Sequence, residues 1–180
     1  LSDRIVVRIT AEPGETFRQS LARGFKGARV AWSRSLGRYP VEPRVTAVCD
    51  SVRGVFSELG CLVDDAEPDF GGADEIFQTL RAWRFALGHE EHLKKHRDFV
   101  KDTVVWNTEK GLALSGLDVA RAEEKRGALY ERVRLFMERY EFLVLPVSQV
   151  APFPVETRWV REIGGTPMNT YIDWMATCYC

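Results

Sequence analysis

Apolar residues recur along this chain with two different periods, and the switches between them set out its elements. Ala28–Ser33, ARVAWS, is a short apolar run bounded by polar residues, the pattern of a buried strand. A loop follows around Leu36–Gly37 and the prolines at 40 and 43. The period then lengthens. Val45, Val48, Val52, Val55, Phe56 and Leu59 return every three or four residues and predict one helix from Pro43 to Leu59 with a single apolar face. Pro43 suits the first helical turn, where its missing N–H costs no hydrogen bond. Gly60 stands where a helix C-terminus favours glycine. Cys61-Leu62-Val63 begins a second strand. Strand, helix and strand within residues 27–70 make a βαβ unit, with parallel strands and a right-handed crossover expected.

Beyond Pro68 and Gly71-Gly72 the helical period persists. Ile76, Phe77, Leu80, Trp83 and Leu87 share one side of a predicted helix over Ala73–Leu87, and Glu90–His96 continues as a polar helix. Lys101–Leu112 reads as a further helical stretch, and Gly111 and Gly116 bracket a break. Ser115-Gly116-Leu117-Asp118 has the spacing of a capping box. It opens a long helix to Tyr140, with Leu129, Val133, Phe136, Met137 and Tyr140 turned inward. Phe142–Leu145 is the third strand, expected at an inner position of the sheet. After it, prolines 146, 152 and 154 turn the chain out at the strand end, where ligands of α/β proteins tend to bind. The fold class expected is α/β: a mixed β-sheet flanked by helices, built on the βαβ unit. One domain covers 1–180, with a lead-in at 1–26 containing a Pro13-Gly14 turn, a helical region at 73–140, and a strand plus pocket-wall loops at 141–180. No internal repeat is visible.

Composition narrows the function classes. The chain has 180 residues, 45% of them hydrophobic, enough for one real core. Net charge is −1 with both signs interspersed, so no basic stripe points to nucleic acid. No apolar run approaches the roughly 20 residues of a membrane helix. LSDRIVVRIT lacks a signal-peptide pattern. The absence of an initiator methionine makes a trimmed chain, or part of a longer protein, the expectation. Cys49, Cys61, Cys178 and Cys180 form no C-x-x-C pair and read as reduced thiols of a cytoplasmic protein.

Candidate chemistry is sparse. His89, His92 and His96 in HEEHLKKH have helical spacing for a metal, but Leu93 stands where a zincin motif needs Glu, and a solvated helix face explains the run more simply. Ser148 lies just past the third strand. No G-x-S-x-G or S-x-x-K accompanies it, which favours a loop serine bonded to local backbone. Asp64, Asp65, Glu67 and Asp69 lack the pattern of a Ca²⁺ loop and read as a solvated strand end. Gly71-Gly72 and Gly164-Gly165 read as turns. Trp159, Tyr171, Trp174 and Tyr179 are concentrated near the end of the chain, where they could line an apolar pocket or form core.

Four segments, in order, add a resemblance. FKGARVAWSRSLGRYPVEPRV (Phe25–Val45) is similar to "KGLRVAWSxDLGxxPVDPxV" of the amidase signature family. VFSELGCLVDDAEPDFGGADEIFQTLRAW (Val55–Trp83) resembles its "FExLGxxVExxxPDxxxADExFxxLRA". YEFLVLPVSQVAPFPVE (Tyr140–Glu156) resembles "YDxLLxPVxxxPPFPV", and YIDWMATCYC (Tyr171–Cys180) resembles "YxDWMxxxY". The likeness runs from Phe25 to Cys180. It implies hydrolysis of a carboxamide through a serine acyl-enzyme, with a second serine, a lysine and an oxyanion hole of backbone N–H groups. No metal or organic cofactor is implied, and the implied partner is a small-molecule amide. The family's lysine and its "GGSSGG" block do not occur in this sequence, nor does the "GxPAxSxPxG" block that follows the DWM segment. No catalytic residue therefore carries over. Pro146, Val147, Pro152, Tyr171 and Trp174 fall in segments that border the family's substrate cleft and are the expected substrate-binding wall. TLRAWRFALGHEEH stands where amidotransferase subunits carry a run like "SSNLARYDG", which favours a general amidase, and the aromatics favour an apolar or aryl acyl group. As an isolated chain it is expected to be inactive, with an exposed apolar sheet edge that favours a homodimer or association with the missing part of the enzyme. The rival reading is a non-catalytic α/β binding or assembly module derived from an amidase.

Overall fold

A computed structural model describes residues 13–180; the readings of the first twelve positions lie outside the described residues. Three parallel strands form the centre, in the order β2 (Leu62–Asp65), β1 (Arg29–Trp32), β3 (Phe142–Val144). Val30 is in register with Val63 on one side and Phe142 on the other. Strand β1 is buried on both faces, and its near-continuous apolar run is what such a position requires. The expected βαβ unit is present, with β1 and β2 parallel. Only β1 has neighbours on both sides among the described strands, so β3 is an edge rather than the inner strand its sequence suggests, and Phe142 is 39% exposed. Antiparallel pairing occurs apart from this sheet, in a hairpin of β4 (Glu162–Ile163) and β5 (Thr166–Pro167). Gly164 and Gly165 both have positive φ there, as a two-residue hairpin turn of the primed type demands.

The helix predicted over 43–59 is broken into α1 (Pro43–Ser51) and α2 (Gly54–Glu58). Two causes are visible. Val48, Val52, Val55 and Leu59 are half or more exposed, so no partner surface holds one straight apolar face. Arg53 at the break reaches Asp65 with bonds of 2.8 and 3.0 Å, and Gly54 beside it weakens the helix interior. Gly60, at φ +82°, ends the segment as expected.

The two helices predicted between 73 and 96 are one, α3 (Ala73–His96), with Asp74 and Glu75 in the first turn and Lys94, Lys95 and His96 in the last. That charge order suits the helix dipole. Its buried face is Ala73, Ile76, Ala82, Ala86 and Leu93, while Trp83 and Leu87 face outward. The small residues mark the crossing of α4 (Asp102–Leu112), which packs on α3 more extensively than any other pair of elements. Gly111 sits at that crossing, inside α4 rather than beyond its end; a Cβ there would lie 1.9 Å from the Ala82 carbonyl oxygen. Helix α5 (Gly116–Met137) starts with the expected capping box: Asp118 N–H donates to Ser115 Oγ at 3.1 Å, and Ser115 N–H donates to Asp118 Oδ2 at 2.9 Å. It ends at Met137. Phe136 and Tyr140 stack at 4.8 Å and cover Ala31 of β1.

Candidate cleft wall at the carboxyl edge of the sheet

All three strands point their carboxyl ends the same way, so the loops after β1, β2 and β3 meet. Ser33 ties the first two: its hydroxyl donates to Glu67 Oε2 at 2.7 Å and accepts from the Leu36 N–H at 2.8 Å. Leu36 has φ +52°, a left-handed conformation costly for a bulky residue. Its side chain is buried against Phe70 and Ala73, which holds it there. Gln149 ties the first loop to the third and to the closing 3-10 helix, Asp173–Cys178. It is fully buried; its Nε2 donates to the Pro40 carbonyl at 2.9 Å, and its Oε1 accepts from the Ala176 N–H at 2.5 Å. The Gln149 carbonyl also accepts from Glu42 N–H at 2.8 Å, and Glu42 Oε2 accepts from Ala151 N–H at 3.1 Å. The Arg44 guanidinium, then the Ala151 amide, hold the Glu42 carboxyl below its usual range. Sequence reasoning passed over Gln149; the available signal was one amide side chain in an otherwise apolar PVSQV.

The five expected wall residues occupy different surroundings. Pro146 is buried, and Val147 is exposed with its carbonyl accepting from Thr177 Oγ1 at 3.1 Å and Cys178 Sγ at 2.8 Å. Pro152 is exposed. Trp174 meets Phe153 edge-on at 5.3 Å beside a core of Val150, Ile163 and Met168, and its indole N–H is buried without a partner. The Tyr171 hydroxyl accepts from Arg81 Nη2 at 3.1 Å and from the Asn107 amide, joining α3, α4 and the last segment. Tyr171 borders a recess of about 220 Å³ with Trp106 and Trp159. Pro146, Val147, Pro152 and Trp174 do not border that recess.

A second polar centre lies at the start of α3. Asp74 Oδ1 accepts from Tyr39 at 2.7 Å and Tyr179 at 2.9 Å, while Oδ2 takes Arg38 at 2.9 Å. The Tyr179 ring stacks on Phe77 at 3.8 Å, nearly parallel. Burial first, then the neighbouring thiol and carboxylate, raises Tyr39; burial, then the Asp74 charge, raises Tyr179; burial pushes the Cys180 thiol up. Both phenols bind their proton more tightly folded than unfolded. Their contribution to stability is therefore whole below the ordinary tyrosine pKa of about 10 and is lost as pH rises above it. In an alkaline titration, Tyr39 and Tyr179 should ionise only together with unfolding. Tyrosinate absorbance accounting for every tyrosine while the far-UV circular dichroism stays native would contradict this.

The remaining candidates are absorbed into structure. The Ser148 hydroxyl bonds the Val150 carbonyl at 2.9 Å, a local loop contact. Asp64 pairs with Arg29, Asp65 with Arg34 and Arg53, and Asp69 with Arg132. His89 and His92 rings lie 5.9 Å apart on α3, and among the described residues no three His, Cys, Asp or Glu side chains are placed to hold a metal. The four cysteines are unpaired. Between α3 and α5, closed at one end by Tyr179, runs a groove of about 430 Å³ with Ile76, Leu80, Phe85 and Leu129 in its floor and Arg81 and Arg84 on its lip.

The same arrangement of sheet and helices occurs in solved structures of amidase signature enzymes. The chain is superposable on a bacterial aryl acylamidase of that family with a TM-score of 0.76 at 17% identity, covering 88% of this chain and 35% of that one. A 6-aminohexanoate cyclic dimer hydrolase gives a TM-score of 0.71 at 16% identity, covering 98% and 40%. In sequence the chain is 31% identical over 176 residues to an acylamidase of Rhodococcus erythropolis, covering 94% of this chain and 36% of that protein. No family model matches the chain. The resemblance to the amidase signature family thus holds in sequence and in fold, and the chain spans about a third of the length of the relatives it matches.

Proposed function

We propose that this chain is the wall-forming part of an amide hydrolase whose serine acyl-enzyme chemistry is carried by residues outside it. The observation behind this is the 31% identity to an acylamidase over 176 residues, with the family-like segments falling on β1, α3, β3 and the closing 3-10 helix. Pro146, Val147, Pro152, Tyr171 and Trp174 are the proposed wall, with a small apolar or aryl amide as substrate. Glu42, Gln149 and Asp74 position the loops that carry it. The four unpaired thiols suit a cytoplasmic protein, and no described helix is long and apolar enough to cross a membrane. The test is hydrolysis of a simple anilide. The 180-residue chain alone should give none, while a longer protein carrying this segment together with the serine–lysine block should turn over and stop with a serine-directed inhibitor. Turnover by the isolated chain, or its absence from the longer protein, would overturn the proposal.

The rival reading, a binding or assembly module, draws support from the open edges of β2 and β3 and the exposed valines of α1 and α2. A structural neighbour with a TM-score of 0.70 at 18% identity, 87% of this chain and 33% of that one, comes from a vestigial protein complex. Under either reading the same surfaces are the ones to be covered, by the rest of the enzyme or by a second copy.

A further inference from the structure

We propose that the groove between α3 and α5 binds an aromatic or alicyclic carboxylate. This goes beyond the reading of the chain as a cleft wall: none of the five wall residues lines the groove, and Tyr171 meets it only through its bond to Arg81. The floor is apolar, and a volume of about 430 Å³ lies within the range of small-molecule sites. The charge at its lip is one-signed. Arg126 is already engaged by Glu123 at 2.6 Å. Arg81 and Arg84 have no carboxylate partner among the described residues, although Arg38, Arg126, Arg132 and Arg134 around them all form ion pairs.

Arg81 is the more informative of the two. Its guanidinium lies 4.6 Å from the centre of the Phe85 ring and 5.6 Å from that of Phe77, so its plane is fixed by aromatic neighbours. One terminal nitrogen, Nη2, donates to Tyr171 and Nε is shut off from solvent, which leaves Nη1 as the donor with no hydrogen-bond partner among the described residues. A carboxylate is the partner that matches a guanidinium in charge and in planar geometry. The apolar floor beside it calls for a ring or compact hydrocarbon attached to that carboxylate. Arg84, exposed at the lip, adds a second positive charge that favours the anion over a neutral isostere.

The test uses 2-naphthoate as probe and 2-naphthamide as its neutral counterpart, with binding to the 180-residue chain followed by calorimetry. Naphthoate should bind about tenfold more tightly than the amide, the discrimination expected of one or two charge-assisted hydrogen bonds. Arg84→Gln should reduce that preference without changing the circular dichroism spectrum, because its side chain is exposed. Arg81→Gln should abolish the preference, and Leu80→Ala should weaken both probes alike. Equal affinity for the two probes, or a preference untouched by Arg84→Gln, would overturn the inference. So would binding that is present in the isolated chain and lost in the longer protein, since the groove would then be covered by its own chain. Anilide hydrolysis is read separately. A longer protein that hydrolyses anilides but has no naphthoate preference refutes the groove ligand alone, and the converse result refutes the amidase reading alone.

Discussion

Gln149→Leu should lower the stability of the chain by about 3 kcal/mol, measured by urea unfolding, with a midpoint that falls and a slope that stays the same. Leucine is close in volume to glutamine, so packing is largely kept and the loss is in hydrogen bonding. Two groups would be stranded. The Pro40 carbonyl loses its donor and the Ala176 N–H loses its acceptor; Gln149 and Ala176 are buried, and Pro40 is partly so. Each unpaired buried group costs about 1–3 kcal/mol. Ser148→Ala, one residue away, should change stability by no more than about 0.5 kcal/mol, because its bonds are local to one loop. Equal effects of the two substitutions would show that Gln149 does not tie the loops together.

Gly111→Ala should cost about 2–3 kcal/mol and lower Tm by roughly 5–10 °C. Alanine is the better helix former by about 1 kcal/mol, so the intrinsic preference runs in the opposite direction. Packing wins because the added Cβ would lie 1.9 Å from the Ala82 carbonyl oxygen and 2.9 Å from the Ala86 Cβ. No rotamer relieves a clash with backbone, so α3 and α4 must separate. Gly127→Ala supplies the control. Gly127 lies in the exposed middle of α5 with open space around it, and there the same change should stabilise by up to about 1 kcal/mol. Differential scanning fluorimetry on the pair would separate the two effects, and a stabilised Gly111→Ala would mean the helices are not in close contact.

The sequence carries the local architecture well and the packing partners poorly. Gly60 as a terminator and the Ser115–Asp118 box depend on neighbours within a few residues, the β1–β2 pair depends on one short crossover, and all three are present. The valines of α1 and α2 show the opposite case. Their spacing announces a buried face, but periodicity says only that a face is apolar, not that this chain contains its cover. Gly111 reads as punctuation in the sequence and is a contact surface in the fold, because the reason for a glycine there lies on another helix. The candidate site was legible only in part. Tyr171 and Trp174 were singled out by chemistry, but Gln149, which holds the loops beneath them, gave no periodic or motif signal, and Asp74, although it falls on the ADE of the second segment, gave no sign of the two tyrosines it joins. Arg81 falls on the LRA of the second segment, but its place between Phe77, Phe85 and Tyr171 shows only in the fold.

Strand β3 pairs with β1 in a register that sets Phe142 beside Val30. Those residues are separated in the chain by α1 to α5, and closing so long a loop is entropically costly and slow. The β1–β2 pair needs only the short crossover through α1 and α2, so it can form while the rest is still being synthesised. The third strand can add only after α3, α4 and α5 have been made and stacked. The carboxyl-edge loops that Gln149 locks are therefore the last part of this chain to acquire their shape, and until then a newly made chain leaves the free edge of β1 uncovered, which is the interval in which that edge is most open to a wrong partner.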